Sequence, residues 1–487
     1  MKKNSAFFLI CLLIIILAFF VRFYNLDYSG VFLWDNSYDL MKIHQYFKEK
    51  TFTIIGPISE DGSKVFSSLT YYMLMPFAVI FNFDPVSTTI GAAFWGFLTF
   101  LLILFLVKII NPEIFLISAF LASIWFPLVE TSRWAWNPNL IPFWITLGLI
   151  FFHWNNSYWR KFFAGLFFGL SIHNHYLSFI ACIVFLLLSP LALNMNKKPW
   201  KQLIFLFLGF FFALSPFIVF DLTHKPGLFL SRFFYFMPFQ KSFNLFVFLK
   251  ELNSNLIEVF FYYTHNRFFI WITLFLILSL LVYDFKKDKK NLVYILPWIS
   301  QVLFVTFLKN SFSHYFLPGL IFFFFYLIIP RERIGKIFAK VLISIFIFTS
   351  LFTVFSQIKN NPYVFYGWKP NIRTVREIVI TIERAIKENK LNNVNLAVLG
   401  SVDPNTYGWK YRNLLLIRGI NLKTRDEYFS SDFLFVISQL PEGELRKDPA
   451  SEMTNFRDGL LLNRWDINDT GWSIYLFEKE KKNRKND

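Results

Sequence analysis

Cysteine is nearly absent: the 487 residues include only Cys11 and Cys182. Both lie inside apolar runs, where a thiol behaves as a small hydrophobic group. Two such residues cannot form a disulfide framework or a cysteine metal site. The sequence also lacks a glycine-rich loop of the kind that cradles the phosphates of a nucleotide.

Acidic residues are few, with 32 Asp and Glu against 49 Lys and Arg and a net charge of +17. In a soluble protein this excess would indicate a nucleic-acid partner. Here residues 1–356 hold 28 basic and 15 acidic side chains, and the basic ones form short clusters between apolar runs. That pattern is typical of the cytoplasmic loops of a membrane protein, so no nucleic-acid partner is expected.

Apolar residues are abundant: 55% of the chain is hydrophobic, 21% is aromatic, and the mean hydropathy is +0.45. A hydrocarbon core about 30 Å thick needs roughly 20 apolar residues per helix, and such runs recur up to Ser356. They predict an all-α polytopic membrane domain of about 11–13 helices over residues 1–356, in contact with membrane lipids. The run at 6–21 is interpreted as a retained first span with Arg22 as an interfacial anchor, because no small-residue cleavage site follows it.

Three basic clusters predict the orientation of the second half, and all three fall on one side when each apolar run counts as a single span: 197–201, 286–290 and 331–340. Because positive charge marks the cytoplasmic side, the first outer loop, 25–66, and everything after residue 356 are predicted to face outward. The loop 222–267 is predicted on the same outer side. The count disagrees by one crossing within 67–153, where one run must be re-entrant or wrongly divided.

The segment 357–487 has a different composition and predicts a small α/β domain outside the membrane. An amphipathic pattern at 373–390 indicates a helix. Short apolar runs indicate strands at 395–400, 432–438 and 472–477. The charged end, 479–487, is expected to be disordered.

The first outer loop carries the densest set of acidic candidates. Asp35 and Asp39, in FLWDNSYDL, are four residues apart and would share one face if both were helical; an amphipathic helix is predicted at 36–50. Glu60 follows in GPISEDG. The alternative for Asp35 is a purely capping role at the start of the helix, and the alternative for Asp39 is an ordinary solvated carboxylate.

The segment SRWAWNPN, residues 132–139, places Arg133 and Asn137 at the mouth of a predicted span. The fork of donors on Arg133 could hold a phosphate. Its alternative is a lone arginine that extends to the interface, and the two tryptophans are ordinary interfacial anchors.

Two further segments place polar side chains at the ends of apolar runs. In HNHYL, His173 and His175 cannot share a helix face, so a sugar or hydroxyl contact is favoured over metal binding. In the predicted outer turn near the start of HYFLPG, Lys309 and His314 could neutralise an anionic headgroup, with Tyr315 beside them. The alternative is ordinary interfacial side chains.

In this order the motifs resemble the GT-C superfamily of membrane glycosyltransferases, and specifically bacterial relatives of protein O-mannosyltransferases and lipid A aminoarabinose transferases. The resemblance covers most of residues 1–360. Its carriers are, in chain order, WDNSYDL, Gly56-Pro57, the stretch from Tyr71-Tyr72 to Pro76, SRWAWNPN, HNHYL and HYFLPG.

The resemblance implies transfer of a sugar, with inversion, from a polyprenyl-phosphate donor to a lipid, glycan or protein acceptor at the outer face of the plasma (inner) membrane. Asp35 would be the general base. The implied substrate-binding residues are Asp39, Glu60, Arg133, Asn137, His175, Lys309, His314 and Tyr315. No cofactor is required. Many relatives have Glu where this chain has Asn36 and Asp where it has Asn137, so fewer carboxylates converge and a divalent metal is disfavoured.

Other functions remain open from the sequence. A polymerase or ligase of lipid-linked glycans would also need outer loops and basic residues. A transporter would place polar groups at the midplane and often shows inverted repeats, whereas no repeat is detected here and the polar residues gather at the outer edge. A membrane scaffold without catalytic activity is the third alternative.

Overall fold

The computed structural model describes residues 2–59, 62–155, 157–193, 199–235, 244–308, 312–360, 371–400, 406–467 and 470–480. The chain divides into two compact units, each built from three pieces. The membrane unit comprises Met1–Tyr24, Phe52–Leu74 and Ile90–Ile358, and the tail unit comprises Asn25–Thr51, Met75–Thr89 and Lys359–Asp487. The membrane unit thus ends close to the predicted boundary at residue 356, while two earlier pieces belong to the tail unit. The predicted division into domains 1–356 and 357–487 stays a prediction.

Helices dominate the described chain up to Lys359. In order they are α1 (Lys2–Phe23), α2 (Leu26–Ser29), α3 (Trp34–Glu49), α4 (Leu69–Ile80), α5 (Val86–Ile110), α6 (Phe115–Ile124), α7 (Phe126–Thr131), α8 (Ile141–Trp154), α9 (Tyr158–Asn174), α10 (Ser178–Leu188), α11 (Pro199–Thr223), α12 (Leu230–Tyr235), α13 (Leu245–Thr264), α14 (Arg267–Lys287), α15 (Leu292–Thr306), α16 (Leu317–Ile328) and α17 (Arg333–Lys359). A short antiparallel hairpin, β1 (Ile55–Ile58) and β2 (Val65–Ser67), precedes α4.

Within the described residues, five helices are long and apolar enough to cross a membrane: the Ser5–Phe23 part of α1, then α5, α11, α14 and α17. Shorter apolar helices lie between them, as for α4 and Ser178–Leu191. The predicted polytopic helical membrane protein is therefore confirmed. Fewer helices than predicted have full span length, because several apolar runs are interrupted by polar or proline-containing segments.

The apolar run at 113–129 shows such an interruption. It forms α6 and α7, which are separated by Trp125 with an extended ψ of 121°. Pro127 lies in the first turn of α7, where its missing N–H costs nothing, whereas inside a continuous helix it would remove a hydrogen bond.

The connection 222–267, predicted as an outer loop, contains the 20-residue helix α13, and its outward orientation stays a prediction. Asn244 caps this helix by accepting hydrogen bonds from the N–H groups of Phe246 and Val247. Polar residues on α13 lower its hydropathy, although one face, including Val259 and Phe260, is buried in the core of the membrane unit.

Glycine allows two helices of the membrane unit to touch along their backbones. A Cβ on Gly165 of α9 would lie 1.8 Å from the carbonyl oxygen of Leu206 on α11, and one on Gly209 would lie 1.9 Å from that of Phe162. Gly165 and Gly169 are four residues apart, the spacing that lets membrane helices approach closely. A side chain at either of the first two positions would force these helices apart.

A buried ion pair joins two of the predicted cytoplasmic clusters. Arg331 donates to Asp284 at 2.9 Å with 1% and 0% of the two side chains exposed, and Asn291 donates to the same carboxylate at 3.0 Å. A buried pair of this kind is costly to break at one partner, because a lone buried charge remains. It therefore fixes the start of α17 against the end of α14.

The tail unit contains a four-stranded sheet with the order β3-β4-β6-β5. Its C-terminal elements are α18 (Ile372–Glu388), β3 (Val394–Leu399), α19 (Trp409–Ile417), β4 (Phe433–Ser438), α20 (Glu442–Leu445), α21 (Ser451–Thr454), β5 (Leu460–Ile467) and β6 (Trp472–Glu478). β3 and β4 are parallel, and the other two pairings are antiparallel. The predicted helix and three strands are confirmed, and β5 and α19 are additional. The small α/β domain is therefore confirmed as a fold.

Candidate active site

Arg133 is buried and binds the end of the first helix. Its Nη1 donates to the carbonyl oxygens of Val21 at 2.9 Å and Arg22 at 3.2 Å, and its Nη2 donates to that of Tyr24 at 3.0 Å. The last carbonyls of a helix lack partners within it, and a cation there also complements the helix dipole. This contact matches neither sequence hypothesis for Arg133. Its phosphate role stays a prediction that the observed contacts do not support.

Arg22, on the first helix, makes a similar contact with the end of another helix. It is 1% exposed, and its guanidinium donates to Ser123 at 2.9 Å and Ala122 at 3.1 Å, close to the end of α6. Its predicted role as an interfacial anchor is therefore wrong, because the side chain is enclosed. Together the two arginines fix the segment that leads into SRWAWNPN.

Asn137 connects three of the motifs by hydrogen bonds. Its Nδ2 donates to the carbonyl oxygen of Asn174 at 2.6 Å, and the Nδ2 of Asn174 donates to the hydroxyl of Thr70 at 2.8 Å. SRWAWNPN, HNHYL and the start of α4 therefore meet in the membrane unit. The contact of Asn137 with substrate stays a prediction.

Two residues of HNHYL hold the strand β2. The ring of His173 contacts the hydroxyl of Ser67 at 3.0 Å and the carbonyl oxygen of Ala213 at 2.7 Å. Because a carbonyl only accepts, the nitrogen facing Ala213 carries the proton. The hydroxyl of Tyr176 donates to the carbonyl oxygen of Val65. His173 and Tyr176 therefore position the end of the first outer loop.

His175 belongs to an aromatic cluster that also contains Phe66, Trp136, His314 and Tyr315. Its ring stacks on Phe66 at 5.1 Å between centroids and meets His314 at 5.5 Å and Tyr315 at 5.9 Å. His314 packs on Trp136 at 4.3 Å. Both histidines and Tyr315 are partly exposed, and the Nδ1 of His175 accepts from the N–H of Leu177 at 3.3 Å. The structure brings together these three predicted site residues.

Lys64 is a candidate that sequence reasoning missed. It lies between β1 and β2, where Ser59 binds both its backbone N–H and its carbonyl oxygen. Phe66, whose ring stacks on His175, lies two residues further along the chain. The usable signal was its position two residues before Phe66 and shortly before the Tyr71-Tyr72 stretch. Lys64 thus places a cation beside the aromatic cluster.

Asp35 lies in the first turn of α3, in the tail unit, and is partly exposed. The helix begins after Leu33, whose N–H donates to the Oδ1 of Asn36 at 2.8 Å. Asp35 Oδ1 accepts from the Asn36 N–H at 2.8 Å. The N-cap position is thus Leu33 and not Asp35, although Asp35 does accept a hydrogen bond from a first-turn N–H, as its capping alternative expected. A negative charge at this helix end is favourable.

Asp39, one turn further on, is 6% exposed, so its interpretation as a solvated carboxylate is wrong. Burial raises the pKa of its neighbour Tyr38, and the negative charge of Asp39 raises that pKa further. Both Asp35 and Asp39 lie on α3 at the spacing that shares a face, as predicted. A substrate contact for Asp39 stays a prediction.

Two candidates, Glu60 and Lys309, lie outside the described residues. Among the residues that are described, no group of three or more His, Cys, Asp and Glu side chains could hold a metal ion.

The chain shares its fold with ArnT from Cupriavidus metallidurans. The apo structure of that protein superposes with a TM-score of 0.57 at 10% sequence identity, over 98% of each chain. Its structure bound to undecaprenyl phosphate gives 0.54 at 9% identity, over 97% of this chain and 98% of that one. No protein-family model and no curated protein matches the sequence. The likeness confirms the predicted fold over nearly the full length.

Proposed function

We propose that this protein is an inverting glycosyltransferase. It moves a sugar from a polyprenyl-phosphate donor to a lipid, glycan or protein acceptor, with Asp35 as general base. One observation carries the proposal: four chain segments of the membrane unit, ending at or near Phe66, Trp136, His175 and His314, converge on one aromatic cluster. The fold shared with ArnT, one structure of which is bound to undecaprenyl phosphate, supports the donor class.

The aromatic cluster suits a sugar and the cation beside it suits a phosphate. Aromatic faces offer apolar surface to the C–H groups of a sugar ring, while the Nε2 of His175, the ring nitrogens of His314 and the hydroxyl of Tyr315 can bind its hydroxyls. Lys64 supplies the positive charge for the lipid phosphate. Arg133 is left out of the proposed phosphate site, because its donors bind backbone carbonyls.

In the proposed reaction the Asp35 carboxylate accepts the proton of the acceptor hydroxyl. The acceptor oxygen then forms a bond to the anomeric carbon from the face opposite the phosphate, which inverts its configuration. The bond between that carbon and the phosphate oxygen breaks, and the polyprenyl phosphate leaves with the electron pair. The charge on Lys64 stabilises the departing phosphate. No metal or other cofactor takes part.

We place the active site and the tail unit on the outer side of the plasma membrane. The support is the distribution of charge: the basic clusters at 197–201, 286–290 and 331–340 mark the cytoplasmic side. The orientation is tested in a variant in which Cys11 and Cys182 have been replaced. In this variant the exposed Asp458 is changed to cysteine, which becomes the single thiol available for labelling. Labelling by an impermeant reagent in intact cells supports the orientation, and labelling only after lysis contradicts it.

The reaction is tested with purified protein in lipid, labelled polyprenyl-phosphate sugars and a membrane extract as acceptor, with and without a chelator. Asp35→Asn is expected to lower the turnover number about 100-fold or more, because general-base catalysis typically contributes 10²–10⁴-fold. The amide keeps the size of the side chain but cannot take the proton.

Asp458→Asn, an exposed acid-to-amide change in the same unit, is the matched control and should keep full activity. Equal turnover by wild type and Asp35→Asn would remove Asp35 as the base. No transfer from any donor would overturn the proposed function and favour a transporter or scaffold. Loss of activity with the chelator would contradict the cofactor-free reaction.

Lys64→Gln should lower kcat/KM for the donor about 10- to 100-fold, since a hydrogen bond to a charged group contributes roughly 1.5–3 kcal/mol. Lys64→Arg should recover part of the loss. Lys250→Gln, an exposed position on α13, is the control. An unchanged kcat/KM in Lys64→Gln would exclude Lys64 from the phosphate site.

A further inference from the structure

The helix that carries Asp35 packs against a helix of the C-terminal domain, which is the part of the tail unit from Ile372 to Glu478. α3 contacts α19 within the tail unit, and polar side chains are enclosed where they meet. Ser37 on α3 is 0% exposed and Asn413 on α19 is 4% exposed. Buried polar groups are costly unless they are hydrogen-bonded, so this contact is specific in its geometry.

Ser37 transmits that contact to the turn that contains Asp35. The Nδ2 of Asn413 donates to the hydroxyl oxygen of Ser37 at 3.1 Å. The same hydroxyl donates to the carbonyl oxygen of Trp34 at 2.6 Å. Trp34 immediately precedes Asp35, and the Asn36 side chain closes the turn from the other side. Asp35 is therefore held by a short chain of hydrogen bonds that ends in the C-terminal domain.

Ion pairs fix the same domain to both earlier pieces of the tail unit. Arg373 donates to Asp27 at 3.0 Å. Arg376 donates through two nitrogens to the two oxygens of Asp84, each at 2.7 Å. Asp27 lies shortly before α3, and Asp84 lies just before α5. The C-terminal domain thus holds the segment around α3 at more than one point.

We infer that the C-terminal domain positions Asp35, with Asn413 as a positioning residue that acts through Ser37. The inference rests on the proposed function, because it assigns Asp35 its role. A carboxylate acts as a base only within hydrogen-bond reach of the proton it takes, and small displacements of a reacting group are costly in rate. Without this contact the first turn of α3 gains freedom, and turnover falls while donor binding is kept.

Turnover is measured in Asn413→Ala, Ser37→Ala and the double variant, with Asn463→Ala on β5 as the matched exposed control. Each single variant is expected to lower kcat about 10-fold and to change KM for the donor less than about 2-fold. The double variant should be no slower than the slower single variant, since both remove the same link.

Hydrogen exchange of the amides at 34–40 is measured on the same samples and does not depend on activity. Faster exchange in both single variants, with β4 unchanged, is expected. Faster exchange with unchanged kcat, or multiplied losses in the double variant, would overturn the inference and leave the proposed function intact. If wild-type protein transfers no sugar, the proposed function and the positioning role both fail. The exchange data then still decide whether Asn413 orders α3.

Discussion

Arg22 and Arg133 in the membrane unit lie buried and bind carbonyl oxygens at helix ends, whereas Arg373 and Arg376 in the tail unit are partly exposed and bind carboxylates. The buried pair gains acceptors that the helices already present without partners. A carboxylate enclosed there would add its own cost of leaving water. The exposed pair avoids that cost, because water still reaches both charges.

Whether an arginine binds carbonyl oxygens or carboxylates depends more on its burial than on the unit in which it lies. Arg412, which is buried in the tail unit, also donates to carbonyl oxygens, those of Tyr407 and Lys423 at 2.7 Å each. Arg331 is the contrasting case, since it is buried in the membrane unit and pairs with Asp284. It meets that carboxylate in the last turn of α14 and also donates to the carbonyl oxygen of Ile329 at 3.3 Å, so burial does not by itself exclude a carboxylate partner. An interrupted helix near an arginine therefore indicates a structural role for that arginine.

Removing a buried arginine should lower the stability of the protein more than any other change considered in this comparison. Arg133→Leu leaves the carbonyl oxygens of Val21, Arg22 and Tyr24 without their donor, and hydrogen bonds to charged groups contribute roughly 1.5–3 kcal/mol each, not additively. We expect a loss on the order of 3 kcal/mol in stability, read as a lowered thermal midpoint of the protein in lipid nanodiscs. The loss should be insensitive to salt, since burial limits screening.

Arg267→Leu, at the exposed start of α14, is the control and should leave the midpoint nearly unchanged. Arg133→Lys distinguishes the structural role from the phosphate role. The lysine should lower the midpoint by an intermediate amount, because one ammonium cannot reproduce the fork of donors. A normal midpoint in Arg133→Leu together with a large rise in donor KM would instead restore the phosphate hypothesis.

Features set by local sequence could be predicted. The apolar runs of α1, α5 and α11, the amphipathic α3, and the strands β3 and β4 follow from periodicity and run length alone. The helix α13 and the strand β5 could not be recognised in the same way. α13 mixes polar residues into a half-buried face, and β5 is an edge strand with much of its surface exposed, so neither has the simple pattern.

The site depends on contacts that are distant in sequence. The residues that meet at His175 come from segments more than a hundred residues apart, and only the order of motifs, through a family resemblance, suggested that they converge. The acceptors of Arg133 could not be predicted, because backbone carbonyls leave no mark in sequence. The burial of Asp39 likewise depends on the tail unit folding around α3.

Neutralising one member of an exposed ion pair should lower the stability of the protein by a smaller amount, and that amount should depend on salt. Asp84→Asn keeps the side-chain oxygen that accepts from the Val86 N–H but removes the charge that Arg376 binds. Both side chains are 26% exposed, so we expect a loss of about 1 kcal/mol, near the upper end for surface pairs because the contact is bidentate. High salt should shrink the difference from wild type, measured as the thermal midpoint against the Asp458→Asn control. If instead Asp84→Asn cost as much as Arg133→Leu and did not respond to salt, partial exposure would not explain the weaker pair.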